Sequence, residues 1–85
     1  MKVMVFEEKG KYSLKNAYDE VIRNVLIDGG KKLGATLVYE FSSGDVDKIG
    51  AIFDYIQECN EGKAKFDKKH LEDLLWQKKK NLKNI

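Results

Sequence analysis

"SLKNAYDEVIRNVLIDGG", residues 13–30, is the stretch on which the fold turns. Leu14, Ala17, Tyr18, Val21, Ile22 and Val25 recur at intervals of three and four, the spacing that gathers side chains on one stripe of an α-helix. Ser13 stands where an N-cap belongs, with a hydroxyl that can accept from the N–H groups a first turn leaves unpaired. Gly29 or Gly30 supplies the stop, since either can take the left-handed conformation that closes a helix. Asp19 and Arg23, four apart, fall on the watered side and favour one another slightly. A carboxylate placed at Val21, mid-stripe, would then cost most of the stability of so small a domain.

Working outward, "KVMVFEE" (2–8) is rich in strand formers, with Val3 and Val5 on one face and Met4 and Phe6 on the other. Apolar residues on both faces predict a strand covered on both sides, or one covered by a partner. "KGK" (9–11) breaks the run. "ATLVYEF" (35–41) reads as a second strand, Leu37, Tyr39 and Phe41 alternating with Val38 and Glu40. "SSGDVDKIG" (42–50) opens a second helix with the stripe Val46, Ile49, Ile52, Phe53 and Ile56, ending near residues 60–62. Asp47, Asp54, Tyr55 and Glu58 fall on its far side. Phe66 then Asp67 read as a hydrophobic staple and N-cap for a third helix, over about 68–82, with Leu71 at its fourth position.

The predicted order is β-α-β-α-α, a small α+β fold in which three helices pack a two-stranded sheet. Residues 1–85 form a single domain, with 79–85 a frayed basic end. Two strands make a marginal sheet. A homodimer is therefore expected, strand 1 pairing edge to edge with its copy to give four strands.

At 85 residues, 42% hydrophobic and 35% charged, the chain suits a folded globule rather than a disordered one. Its N-terminal apolar run is too short for a signal peptide and nothing is long enough to span a membrane, so a cytoplasmic setting is expected. The one cysteine, Cys59, cannot form an internal disulfide. The net charge of +2 hides an asymmetry: residues 1–62 carry eight basic and eleven acidic side chains, residues 63–85 eight lysines against three acids. The lysine- and asparagine-rich, proline-free composition is in keeping with a small accessory protein of a virus or mobile element.

Catalysis would need a nucleophile held against an oriented base, or paired carboxylates in a cleft. The only histidine, His70, stands beside Lys68 and Lys69 in the first turn of the third helix. A Cys59–His70 pair would lack a third orienting group. "FSSGD" (41–45) lacks the glycine pattern and lysine of a phosphate loop, and its acids suit an N-cap instead. No cysteine–histidine spacing suits zinc and no calcium loop is present. The expectation is therefore a protein without catalytic activity, metal or cofactor.

The third helix departs from a purely structural pattern. At about 100° per residue, Leu71, Leu74, Leu75 and Leu82 share a stripe, whereas Trp76 lies roughly 140° from Leu71 on an arc with Lys69, Glu72, Lys79, Lys80 and Lys83. Trp76, Lys69, Lys79, Lys80 and Lys83 are thus the candidate binding residues. Three readings compete. The arc could dock on the acidic side of the second helix, which would partly bury the indole. It could anchor a protein partner, with Trp76 in a pocket and the lysines as a steering rim. It could hold RNA or single-stranded DNA, lysines on phosphates and the indole stacked on a base. A non-catalytic binding protein that occupies a surface of a larger protein is favoured, with weak RNA or single-strand binding as the alternative.

Overall fold

Lys9 and Gly10 both adopt positive φ, at 52° and 82°, the conformation of a two-residue hairpin turn whose twist matches that of its strands. The computed structural model describes residues 1–76. In it the turn joins β1 (Lys2–Glu8) to β2 (Lys11–Ala17), with Glu8 paired to Lys11 and Lys2 to Ala17. The Gly10 N–H donates to the Glu7 carboxylate at 2.7 Å and fastens the turn.

β2 corrects the helical reading of residues 13–18. Tyr12 and Leu14 face one side of the sheet, so the segment also satisfies a period of two. Ala17 and Val21 looked like one stripe only because a strand and a helix meet there. The chain then enters α1 (Glu20–Leu33), capped by Asp19, whose side chain accepts from the Ile22 N–H at 2.9 Å. Asp19 is thus a cap rather than a partner for Arg23. Neither Gly29 nor Gly30 stops the helix. The stop is Gly34, at φ 87°, with the Gly34 N–H donating to the Lys31 carbonyl and the Ala35 N–H to that of Gly30.

β3 (Thr36–Ser42) returns on the far side of β1, so the sheet is three-stranded and antiparallel in the order β2-β1-β3, not two-stranded. Because β1 is central, both its edges are occupied and it cannot pair with a copy of itself in the way expected from the sequence. A register shift opposite Val5 and Phe6 leaves Val38 unmatched. This bulge turns Leu37 to the face of Phe6, while Tyr39 and Phe41 stay on the face of Val3 and Val5.

The expectation that β1 is covered on both sides holds. On one side α2 (Val46–Asn60) and α3 (Lys68–Trp76) close over Val3, Val5 and Phe41 with Ile52, Tyr55, Ile56 and Leu71. On the other, α1 lies over Met4, Phe6 and Ala17 with Leu26 and Ile27 half-buried. Asp45 caps α2, accepting from the N–H groups of Asp47 at 3.0 Å and Lys48 at 3.3 Å. Tyr55 is buried rather than outward-facing, and Val46 and Phe53 are exposed rather than core. The Tyr55 hydroxyl donates to the Lys65 carbonyl and accepts from the Asp67 N–H at 2.9 Å, which fixes the loop into α3. Asp67 in turn accepts from the Lys69 N–H at 3.0 Å, the cap expected of it. Asn60 seals part of the β2 edge: its amide accepts from the Tyr12 N–H at 2.7 Å and donates to the Tyr12 carbonyl at 2.9 Å, as a neighbouring strand would.

Among the described residues, no helix is long and apolar enough to cross a membrane.

Candidate partner-binding surface

Leu71 anchors α3 in the core, and the helical twist sets where each later side chain points. Leu74 and Leu75 are half-buried, and Trp76, five residues beyond Leu71, is carried round to solvent. The indole is 77% exposed. That overturns docking against α2 as an account of Trp76, since docking would have covered the ring.

Trp76 stands at one wall of a groove of about 280 Å³ between α3 and the sheet. Tyr39, Phe41 and Ser42 of β3, Ser43 and Lys48 beyond it, and Leu75 of α3 complete its lining. Tyr39 and Phe41 alternate along one strand face, so their rings come together at 6.2 Å between centroids, tilted by 41°. Lys48 is placed by the Asp45 cap, which binds its backbone N–H. Burial, and secondarily the Glu72 carboxylate, raises the Tyr39 phenol above its ordinary value, so it remains a neutral hydrogen-bonding group at physiological pH. The groove thus presents three aromatic rings, one ammonium and several hydroxyls.

Lys69 lies two helical turns before Trp76 on the same face of α3 and is exposed, so these two candidates share a surface. Lys79, Lys80, Lys83 and Leu82 lie outside the described residues. Tyr39, Phe41 and Lys48 were not singled out from sequence. Tyr39 and Phe41 read as ordinary strand residues, and no local spacing ties β3 to the end of α3.

The thiol–imidazole pair takes another form here. His70 packs its ring on Tyr55, at 4.5 Å between centroids, rather than serving as a base for Cys59. Burial pushes the Cys59 thiol above its ordinary value, which disfavours the thiolate a nucleophile needs. Among the described residues, no group of three or more His, Cys, Asp or Glu side chains could hold a metal ion. Compared with known proteins, the chain matches no family model, no curated protein and no solved structure.

Proposed function

We propose that this is a non-catalytic binding protein that occupies a surface of a larger protein through the Trp76 groove. The observation that carries the reading is a tryptophan left 77% exposed beside a ready-made groove that already holds Tyr39 and Phe41. Tryptophan is among the residues enriched at binding hot spots, and flanking lysines steer approach more than they hold the complex. β3 is an edge of the sheet, so a partner segment lying in the groove can also pair with its outer backbone. RNA or single-stranded DNA is the alternative, supported by Lys48 and Lys69 near stackable rings.

Trp76 is the only tryptophan, so its fluorescence reports on this site alone. Native lysate is passed over wild type and Trp76→Ala, with and without nuclease, and the affinity of a captured protein is then measured. A nuclease-resistant protein whose Kd rises about 30-fold or more on Trp76→Ala supports the reading. Capture that disappears with nuclease, together with quenching of Trp76 by single-stranded oligonucleotides, replaces it with the alternative. In that case Lys79→Gln/Lys80→Gln/Lys83→Gln should flatten the salt dependence by about 0.7 log units per lost phosphate contact.

A further inference from the structure

The solvent side of α1 carries, beside the exposed Asn24, Asp28 and Lys32, a line of apolar side chains that solvent alone would not call for. Val21 is 71% exposed, Val25 63% and Leu33 74%, and Tyr18 just before the helix is also exposed. Val21, Val25, Gly29 and Leu33 follow one another at intervals of four, a single ridge along the helix of the kind that seats in the groove of another helix. Gly29 has no described atom within 4 Å of where a Cβ would stand. A glycine inside a helix costs about 1 kcal/mol against alanine, and nothing around Gly29 in this fold requires it. Its neighbour Gly30 differs, since a Cβ there would sit 3.4 Å from both the Phe6 ring and the Ala35 carbonyl oxygen. Beside the ridge an apolar groove of about 410 Å³ opens between α1 and β2, floored by Phe6 and Leu26.

Charge identifies what fits this ridge. The helix begins with Asp19 and Glu20 and ends with Lys31 and Lys32. A second α1 laid antiparallel brings each acidic first turn to a basic last turn and opposes the two helix dipoles favourably. A parallel copy would set like charge on like.

We propose that α1 is a self-association surface on which a second copy of this chain packs antiparallel about a twofold axis, Val21 and Val25 of each helix lying against Leu33 and Gly29 of the other. The register is self-consistent: the pairing that sets Val25 on the partner's glycine also sets Gly29 under the partner's valine, as an isologous contact demands. α1 and the Trp76 groove are on opposite faces of the sheet, so the pair leaves both grooves open. A helix of 14 residues gives a contact at the small end of interface sizes, and association on the order of tens of micromolar is expected.

Sedimentation equilibrium on the full chain, from roughly 1 to 500 μM, tests this. Wild type should dimerise, and Val25→Asp should raise the dimer Kd at least about tenfold while circular dichroism stays unchanged. Glu20→Lys and Lys31→Glu/Lys32→Glu should each weaken self-association. An equimolar mixture of the two should recover it as a heterodimer, because both ends are then matched. Trp76→Ala should leave association untouched, which separates this surface from the proposed function. A wild type that stays monomeric throughout, a dimer indifferent to Val25→Asp, or a mixture that fails to associate would each overturn the proposal. So would a Val25→Asp variant that melts earlier at concentrations where wild type is monomeric, since the ridge would then be covered within one chain.

Discussion

On one face of the sheet Val3 and Val5 vanish beneath two helices that contribute Ile52, Tyr55, Ile56 and Leu71 to a continuous core. On the other, Met4 and Phe6 are just as deeply buried, yet α1 has no fully buried side chain of its own. The single helix lies along the sheet on half-buried Leu26 and Ile27 and is tied to β3 by Arg23. That guanidinium donates to both oxygens of Glu40, at 2.8 and 2.6 Å. A strand residue can therefore be wholly dry while the helix above it keeps Val21, Val25 and Leu33 in water. The contrast teaches that apolar residues on a helix are not evidence of the direction in which it faces. α2 buries Ile52, Tyr55 and Ile56 while leaving Val46 and Phe53 in water, whereas α1 buries no side chain completely and only half-covers Leu26 and Ile27.

The sharpest way to break the comparison is to remove a side chain from the closed face. Leu71→Ala leaves a cavity where no solvent reaches and should cost about 2–5 kcal/mol, a large share of what a domain of this size has. Urea melts read this directly, and a loss under about 1 kcal/mol would mean the closed face is loosely packed.

A smaller effect is expected from Tyr55→Phe, which keeps the ring and deletes the hydroxyl between Lys65 and Asp67. Leaving those backbone groups without their partner should cost about 1–3 kcal/mol and loosen the loop into α3. Faster amide exchange at Asp67 and Lys69 is the accompanying sign.

The tie on the open face is expected to show in pH dependence. The Arg23 guanidinium holds the Glu40 carboxyl below the ordinary glutamate value of 4.5, outweighing the upward push of burial. A carboxyl lowered on folding adds stability that is fully present above its unfolded value and is lost as pH falls through the lowered one. The stability difference between wild type and Glu40→Gln should thus be constant near neutrality and shrink on acidification below about pH 4.5. Urea midpoints across that range measure it, and a difference that grows in acid would contradict the assignment.

The least effect on the isolated chain belongs to Val21→Asp. Read from sequence it strikes the centre of a buried stripe. At 71% exposure it should change monomer stability by no more than about 0.5 kcal/mol. A melt at micromolar concentration decides between the two, and a collapse of the fold would restore the stripe to the core.

What could be read in the chain was what local chemistry dictates. The two-faced pattern of β1, the Asp45 and Asp67 caps, and the position of Leu71 follow from side chains within a turn or two of one another. β2 was hidden because Leu14 and Ala17, three apart, fit a helical stripe, whereas in the strand they face opposite sides of the sheet. The Lys9–Gly10 turn also lacks the asparagine or aspartate that commonly marks such hairpins. The bulge at Val38, which sends Leu37 to the other face, has no local signature at all. At the candidate site Trp76 declared itself by falling off its stripe. Tyr39 and Lys48 did not, because only the packing of α3 over β3 brings them near it.

The place of β1 between its neighbours also fixes an order in time. Its pairing with β2 closes across two residues, an event of about 1–10 μs for an isolated hairpin. Its pairing with β3 must wait until α1 and its flanking residues have been gathered in, and the longer closure is the slower one. The folding barrier is therefore expected to be crossed with the hairpin formed and the helices still settling. Changes at the turn, such as Gly10→Ala at its positive φ, should slow folding. Changes at Leu71 should chiefly hasten unfolding. On a growing chain the hairpin can first pair once Ala17 is free, and until α1 and β3 are made it has neither of the layers that cover β1 in the finished fold, which leaves it marginal.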